Sequence, residues 1–277
     1  MAPIPTGEQP KGLDALGHQD AFLFDVYGTL VISASGDIDA PSACGSKTAM
    51  QDLLRRFSIA KTPDQLRQSL IRSVIKAHEM RREQGIEYPE VDIVQIWQNV
   101  LGMDDIARLK AFAREYEMIV NPIGPMPGLR EMLCACRQQK IMLGLISNAQ
   151  FYTLEHLETL LEAPLASYGF DKKLTLFSYR FGVAKPSPIM FEIAAQYLLD
   201  CGVPASSVLY VGNDMRNDIL PSKAVGFQTA LFAGDRRSLR KRAEDERCRQ
   251  LRPDMVITDL RQLISPVTSA SIPPAPV

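Results

Sequence analysis

Cysteine is scarce in this sequence, and its positions follow no pattern. The chain has five cysteines, an odd number, at positions 44, 134, 136, 201 and 248. Cys134 and Cys136 lie two residues apart in a helical pattern, so their side chains face different directions. This usage argues against a disulfide framework and against a zinc site. We expect reduced thiols, mostly buried.

An excess of charge of one sign is also missing, because 31 Lys and Arg residues face 32 Asp and Glu residues, a formal net charge of -1. This balance predicts neither a nucleic-acid partner nor a membrane surface. No apolar run approaches the roughly 20 residues of a membrane-spanning helix, and the N-terminus has no basic-then-apolar signal pattern. We therefore expect a cytoplasmic protein. Composition leaves the oligomeric state open, and we expect a monomer or a homodimer.

Short apolar runs that alternate with helical patterns are the main signal in the chain. The runs are continuous rather than alternating, as expected for strands covered on both faces. Helical patterns between them predict a doubly wound parallel sheet of the α/β class. The predicted strands cover residues 21–26, 141–146, 174–178, 208–212, 227–232 and 254–257, and the helices cover 128–140, 150–162, 187–201 and 216–225.

The long interval between the first two strands predicts a second domain. Residues 43–118 place apolar side chains at three- and four-residue spacing, which is typical of amphipathic helices. A loop of that length without structure would be implausible. We expect a core domain of residues 18–34 and 119–265 and an inserted helical domain of residues 35–118. The polar, Pro-rich ends, residues 1–17 and 266–277, are expected to be disordered tails.

Polar side chains gather where the predicted strands end. Ligands of doubly wound sheets bind at the carboxyl ends of the strands. The first strand leads to Asp25 and Thr29, the second to Ser147 and Asn148, the loop after the third to Lys185, and the fourth to Asp214 and Asp218. Any one of these residues could be a turn former or a helix cap. Their joint arrival at one sheet edge favours a catalytic site.

The same residues resemble the four motifs of the haloacid dehalogenase-like hydrolase superfamily. The matching patterns are Asp25-x-x-Gly-Thr29, Ser147, Lys185-Pro186 and Gly212-x-Asp-x-x-x-Asp218. The resemblance covers residues 20–30 and 121–264, and the inserted helices are similar to that family's cap. It implies a Rossmann-like core and hydrolase activity.

The resemblance also implies a role for each residue. Asp25 would be the nucleophile that forms a covalent ester or acyl-phosphate. Thr29 and Ser147 would offer hydroxyls to the nucleophile or substrate, and Lys185 would neutralise their shared charge. Residues implied to bind the substrate or its phosphate are Gly28, Ser147, Asn148 and Lys185.

A magnesium site is implied at the same edge. Asp25, Asp214 and the backbone carbonyl of Tyr27 would supply the hard oxygen ligands that Mg²⁺ prefers. Asp218 would not bind the ion directly but would orient its water ligands or Lys185 by hydrogen bonding. The ion would reduce the repulsion between the nucleophile and a phosphate dianion.

Tyr27 divides the functional prediction. Phosphatases of the family usually carry a second Asp at this position, which protonates the leaving group. The family's metal-independent 2-haloacid dehalogenases read Asp-x-Tyr-Gly-Thr, as this chain does, but their fourth motif is Ser-x-Asn-x-x-Asp. The fourth motif here, Gly212–Asp218, has the acidic, metal-binding form. We therefore expect a Mg²⁺-dependent phosphatase of a small phosphorylated metabolite. The alternatives are a dehalogenase and a non-catalytic protein that binds a phosphorylated ligand or a partner protein.

Cationic residues elsewhere carry weaker signals. Arg55, Arg56 and Arg72 of the inserted domain are candidates for a halide-binding arginine, and Lys61 and Lys76 for a Schiff-base lysine as in the family's phosphonatases. For each of them a solvated surface role is favoured. The Arg-rich segment 235–252 contains interleaved acidic residues and predicts a solvated helix face with no assigned function.

Overall fold

The computed structural model describes residues 1–15, 17–33 and 47–264. Its chain forms two compact units. One takes in the described residues of Met1–Ile32, Gly124–Phe177 and Lys185–Val277, and the other those of Ser33–Ile123 and Ser178–Ala184. Part of the expected cap (35–46) and the expected tail at 266–277 lie outside the described residues.

A parallel six-stranded sheet forms the centre of the first unit. Its strands are β1 (Ala21–Phe24), β4 (Met142–Ser147), β5 (Phe170–Phe177), β6 (Val208–Gly212), β7 (Gln228–Phe232) and β8 (Met255–Ile257). They stand in the order β5-β4-β1-β6-β7-β8, and each pair is parallel. Two shorter strands, β2 (Val31–Ser33) and β3 (Ile123–Pro125), pair in a separate sheet. The predicted doubly wound sheet is confirmed.

Burial on both faces explains the continuous apolar runs. Every residue of β1 and β6 is buried, so neither strand has a solvent side that would call for alternating polar residues. The intervening helices are α5 (Leu129–Gln138), α6 (Tyr152–Leu161), α8 (Ile189–Asp200) and α9 (Leu220–Ala224). A π-helical turn, Met215–Ile219, precedes α9. No helix among the described residues is long and apolar enough to cross a membrane.

Four helices make up most of the second unit: α1 (Lys47–Arg56), α2 (Pro63–Glu83), α3 (Ile93–Leu101) and α4 (Ile106–Val120). Capping residues in the sequence mark the starts of α2, α3 and α4. Thr62 and Gln65 form a reciprocal capping box at α2, and Asp92 and Asp105 cap α3 and α4. These side chains satisfy backbone N–H groups that have no partner within the helix.

An aromatic cluster holds the second unit together. Trp97 of α3 meets Phe112 and Tyr116 of α4 edge-on, with ring centroids 4.9 and 4.8 Å apart. Trp97 and Phe112 are almost completely buried. Such edge-to-face pairs add about 0.5–1.5 kcal/mol beyond the burial of their area.

The N-terminal segment departs from the expected tail of residues 1–17. The Ile4 N–H donates to Asp235 at 3.1 Å, and Lys11 forms an antiparallel bridge with Val256 of β8. Because β8 is the edge strand of the sheet, it offers unpaired backbone groups to another segment. The segment is therefore held by hydrogen bonds both at this edge strand and at the loop after β7.

The segment before Lys185 also departs from the expected boundaries, which placed it in the core. Ser178–Ala184, with the short helix α7 (Ser178–Phe181), clusters with the second unit. The Ser178 hydroxyl donates to the buried Glu90 carboxylate at 2.6 Å, and the Ala184 N–H donates to the Tyr88 carbonyl at 2.8 Å. These contacts are between residues remote in sequence, so composition alone did not reveal them.

Candidate active site

Three neighbouring strands deliver the predicted catalytic residues to one edge of the sheet. β1 lies between β4 and β6, and Phe24 stands in register with Leu145 on one side and Val211 on the other. Asp25, Ser147 and Asp214 follow or end these strands. Parallel pairing therefore brings together residues that are far apart in the chain.

Asp25 is held by two donors at one of its oxygens. The Ser147 hydroxyl donates to Oδ1 at 2.9 Å and the Lys185 ammonium at 2.7 Å. The Asp25 N–H donates to the Val211 carbonyl at 2.9 Å, which fixes the backbone. Within the described part of the chain both side-chain donors reach Oδ1, which leaves Oδ2 for attack on a substrate or for a metal. The geometry suits a nucleophilic carboxylate.

Lys185 joins two carboxylates in the buried interior. Its Nζ lies 2.7 Å from Asp25 Oδ1 and 2.6 Å from Asp218 Oδ1, with only 3% of the lysine side chain exposed. Burial alone lowers the pKa of Lys185, but attraction to Asp218 and Asp25 outweighs burial and raises it above the ordinary value. The lysine therefore stays cationic and places a fixed positive charge beside Asp25, the predicted nucleophile.

Asp218 connects this cluster to the fourth motif. Its Oδ2 accepts the Asp214 N–H at 2.9 Å. Burial raises the pKa of Asp218, and repulsion from Asp25 and Asp214 adds to the effect, against the opposing attraction of Lys185. A Cβ added at Gly212 would collide with the Asp218 carboxylate, so glycine is required for this close approach. Asp218 thus orients both Lys185 and the Asp214 backbone.

Asn148, expected to bind substrate, instead contacts the backbone of Lys185. Its Oδ1 accepts the Lys185 N–H at 2.7 Å, and its Nδ2 donates to the Lys185 carbonyl at 3.3 Å. This two-way pairing fixes the main chain from which the lysine side chain extends.

Thr29 does not share the role of Ser147. Thr29 is fully buried, and its Oγ1 has no hydrogen-bond partner within the described residues. Among the described residues, the expected hydroxyl contact with Asp25 is made by Ser147 and not by Thr29. Thr29 lies in the turn after β1, where the N–H groups of Thr29 and Leu30 donate to the Val26 carbonyl.

Gly28 and Tyr27 shape that turn. Gly28 has a φ of +81°, and an added Cβ would collide with Asn213 and Ser238, so both conformation and space require glycine. The Tyr27 hydroxyl lies 2.9 Å from Thr153 Oγ1. Tyr27 therefore hydrogen-bonds through its side chain to the start of α6, a contact the sequence did not suggest.

Asp214 is paired with an arginine. Arg242 approaches its carboxylate with Nη2 at 2.6 Å from Oδ2 and Nε at 3.1 Å from Oδ1. Oδ1 also accepts the N–H groups of Arg216 and Asn217.

The predicted solvated helix over 235–252 is wrong, because only Glu246–Arg249 (α10) is helical. Asp235 accepts the Arg237 N–H in a local turn, and Asp245 accepts the Arg247 N–H as the N-cap of α10.

The donor set fits Mg²⁺ in its chemistry. Asp25 has one oxygen outside its described hydrogen bonds, and carboxylates together with a main-chain carbonyl are the hard ligands this ion takes. Asp214 meets the requirement once it exchanges the Arg242 guanidinium for the ion. No group of three or more His, Cys, Asp or Glu side chains suited to a metal occurs in the described ranges, so the set rests on two carboxylates and backbone or water oxygens.

Sequence patterns did not identify two residues of the site, Tyr210 and Arg242. Tyr210 is buried in the middle of β6, and its hydroxyl lies within hydrogen-bond distance of Lys185, Asp218 and the Ile146 carbonyl. A phenol inside an apolar strand was the available signal, because a buried hydroxyl needs a partner. Arg242 gave no signal, since it stands among many arginines in its segment.

The candidate cations of the second unit separate into two groups. Arg55 pairs with Asp52, and Arg56 with Glu115, at the surface. Lys61, Arg72 and Lys76 line one concavity of about 340 Å³, together with Ser69, Ser73, Asn99 and Val100. Arg72, a candidate halide-binding residue, thus lies in the same concavity as Lys61 and Lys76, the candidate Schiff-base lysines.

Comparison with solved structures shows the same fold at low identity. A 2-haloacid dehalogenase from Pseudomonas syringae has 20% identity and a TM-score of 0.53, with 88% of this chain and 96% of that one covered. A phosphatase of the same superfamily from Thermococcus onnurineus has 17% identity and a TM-score of 0.53, with coverage of 88% and 95%. An L-2-haloacid dehalogenase from Xanthobacter autotrophicus has 19% identity and a TM-score of 0.50, with coverage of 88% and 96%.

No curated protein matches the sequence. The family model described as haloacid dehalogenase-like hydrolase matches residues 19–226, which include all four motifs. With this match and the sheet-edge cluster around Asp25, the chain belongs to the haloacid dehalogenase-like hydrolase family.

Proposed function

We propose that this hydrolase is a phosphatase of a small phosphorylated metabolite and works through a covalent aspartyl-phosphate at Asp25. The observation that supports it best is the pair of donors on Asp25 Oδ1, Ser147 at 2.9 Å and Lys185 at 2.7 Å. They hold one oxygen while the other is left for attack. The acidic fourth motif, with Asp214 and Asp218 tied together by a hydrogen bond, is the second support.

Two displacements at phosphorus make up the proposed reaction. Asp25 Oδ2 attacks phosphorus and forms a P–O bond, while the bond to the leaving oxygen breaks and its electron pair departs with the alcohol or phenol. Water then attacks phosphorus, the bond to Asp25 breaks, and the carboxylate and inorganic phosphate are released. The leaving oxygen takes up a proton from solvent, and the attacking water gives one back.

The residues of the site have distinct tasks in these steps. Lys185 stays positively charged and offsets charge on the phosphoryl group. Asp25, Asp214 and the Tyr27 carbonyl would hold Mg²⁺, which when bound supplies further charge neutralisation. Asp218 and Asn148 keep Lys185 in position, through its ammonium and its backbone respectively.

Tyr27 sets the proposed substrate preference. A phenol, with an ordinary pKa of about 10, is a weaker acid than the carboxylic acid it replaces and a poor general base near neutral pH, and this hydroxyl is bonded to Thr153. Aryl and acyl phosphates, whose leaving groups need less protonation, should therefore react faster than alkyl phosphates.

The test is release of p-nitrophenol from p-nitrophenyl phosphate with Mg²⁺ and with EDTA. We expect activity with Mg²⁺ that EDTA removes, and a loss of at least about a thousandfold in Asp25→Asn, as for loss of a nucleophile elsewhere. Thermal unfolding of Asp25→Asn serves as the folding control. Absence of phosphate release from aryl, acyl and alkyl phosphates in the presence of Mg²⁺ would refute the proposal.

A second candidate is a 2-haloacid dehalogenase. Tyr27 favours it because halide leaves without a proton, and the Arg242–Asp214 pair favours it because Asp214 is neutralised by a side chain. Asp25 would displace halide from carbon, and water would then cleave the ester at its carbonyl. The test is halide release from 2-chloropropionate in EDTA. Inactivity toward both substrate classes would support a non-catalytic binding protein.

A further inference from the structure

Arg242 binds the same carboxylate that the proposed function assigns to the metal. Its guanidinium lies across both oxygens of Asp214, with Nη2 2.6 Å from Oδ2 and Nε 3.1 and 3.2 Å from Oδ1 and Oδ2. The Asp214 side chain is 9% exposed and that of Arg242 25% exposed. This fork on a mostly buried carboxylate is the strong form of a charged hydrogen bond.

The backbone delivers Arg242 to this position. The Arg240 N–H donates to the Asn213 carbonyl, and the Met215 N–H donates to the Arg240 carbonyl, both at 2.9 Å. These bonds align the segment with the end of the fourth motif, and Arg242 follows two residues later. Arg242 itself has a φ of +51°, which is uncommon outside glycine.

Neighbouring arginines behave differently. Arg237 pairs with Asp235 and Arg247 with Asp245, each two residues away. Arg242 instead crosses 28 positions to Asp214. The pair between Arg242 and Asp214 therefore depends on the tertiary structure of the segment, whereas the other two arginines pair with a neighbour in sequence.

A guanidinium and a divalent cation require the same lone pairs of Asp214. Oδ2 faces Nη2, and Oδ1 is shared among Nε and the N–H groups of Arg216 and Asn217. Either cation can neutralise the carboxylate, but the two cannot occupy it together. Metal entry at Asp214 thus requires Arg242 to leave.

We infer that Arg242 is an internal competitor for divalent metal at Asp214 and sets the metal affinity of the site. This inference rests on the proposed function, from which Asp214 takes its role as a ligand. With Arg242 in place the site is closed to the ion, and with Arg242 withdrawn it is open. Arg242 acts on the metal through Asp214 and is in this sense a positioning residue.

The test is Mn²⁺ binding to the full chain by isothermal titration calorimetry, without substrate. Arg242→Gln removes the guanidinium, and Arg240→Gln is the matched control, since the Arg240 side chain binds the Arg237 and Leu239 carbonyls and not Asp214. We expect Arg242→Gln to bind Mn²⁺ about tenfold to a hundredfold more tightly than the wild type. The ion then no longer has to break the charge-assisted hydrogen bonds between Arg242 and Asp214. Arg240→Gln should match the wild type.

Arg242→Lys keeps the charge without the fork and should show a smaller gain in affinity, which preserves the test if Arg242→Gln does not fold. Unchanged or weaker binding in the Arg242 variants, an equal gain in Arg240→Gln, or no Mn²⁺ binding by any protein would overturn the inference. Phosphate release is scored separately. Tighter Mn²⁺ binding without phosphatase activity would uphold the role of Arg242 and refute the proposed substrate class, and the reverse pattern would do the opposite.

Discussion

Lys185 donates from its ammonium to Oδ1 of Asp25 at 2.7 Å, with both side chains buried. The two residues are 160 positions apart and meet only because the carboxyl ends of parallel strands share one edge of the sheet. The pair joins the expected nucleophile to a positive charge. Asp218 Oδ1 lies 2.6 Å from the same ammonium, so Lys185 bridges two carboxylates.

Replacement of this lysine should affect both stability and activity. Lys185→Met leaves two buried carboxylates without their cation, which typically lowers the free energy of unfolding by about 3–5 kcal/mol. Loss of the charge beside Asp25 should lower kcat by about 10²–10³-fold. Urea denaturation and steady-state kinetics measure the two effects.

The double variant Lys185→Met with Asp218→Asn separates the two roles. Removal of the second carboxylate should restore part of the stability, because less charge remains buried, but should not restore activity. If Lys185→Met alone unfolds at the wild-type urea concentration, the ion cluster does not have the stabilising role assigned to it.

Tyr27→Asp should raise turnover of alkyl phosphates. The substitution places a carboxyl group where the family's phosphatases carry their leaving-group acid, a group that contributes about 10²–10⁴-fold. Aryl phosphates should gain much less, because p-nitrophenolate leaves without a proton. Rates on an alkyl and an aryl phosphate, compared for the two proteins, are the measurement.

Tyr27→Phe is the companion variant. It removes only the hydroxyl that lies 2.9 Å from Thr153, so it should cost about 0.5–1.5 kcal/mol of stability and leave kcat near the wild-type value. A large fall in kcat would assign the phenol a direct part in proton transfer and contradict the proposed role of Tyr27.

Gly28→Ala should destabilise the core more than a glycine replacement at a similar backbone angle elsewhere. Gly28 has a φ of +81° and no room for a Cβ, whereas Gly85 has a φ of +86° and nothing within 4 Å of an added Cβ. Gly85→Ala should therefore show only the left-handed backbone penalty of about 1–2 kcal/mol. Gly28→Ala adds a collision with Asn213 and Ser238, and thermal unfolding of both variants isolates that addition.

Glu90 should give the second unit a pH-dependent stability. Burial raises the pKa of this carboxyl, against hydrogen bonds from Ser178 and Val91 and the attraction of Arg81. A carboxyl with a raised pKa in the folded state holds its proton more tightly there than in the unfolded chain. Its contribution to stability is therefore favourable at low pH and is lost as pH rises from 4.5 through the raised pKa.

Glu90→Gln removes that titration, because the amide is neutral at every pH. Relative to the wild type, Glu90→Gln should become progressively more stable as pH rises from about 4 to 8. Melting temperatures of the two proteins across this range check the sign. A difference that stays constant or shrinks with rising pH would contradict it.

The sequence by itself determined the sheet and the residues at its edge. Continuous apolar runs marked β1, β4 and β6 because strands buried on both faces need no polar alternation, and strand ends located Asp25, Ser147 and Asp214. Lys185 and Asp218 followed from the spacing of their motifs and the resemblance these carry. Such features depend on local periodicity and on chain order, both of which are written in the sequence.

The tertiary structure alone decided which side chains meet. It paired Arg242 with Asp214, turned Asn148 toward the backbone of Lys185 and left the Thr29 hydroxyl outside the cluster. It also attached the segment at Ile4 to Asp235. These contacts join residues far apart in the chain or depend on the path of an irregular turn, and neither has a periodic signature. Composition shows which hydrogen-bonding groups are present, but only the tertiary structure determines which of them are close enough to pair.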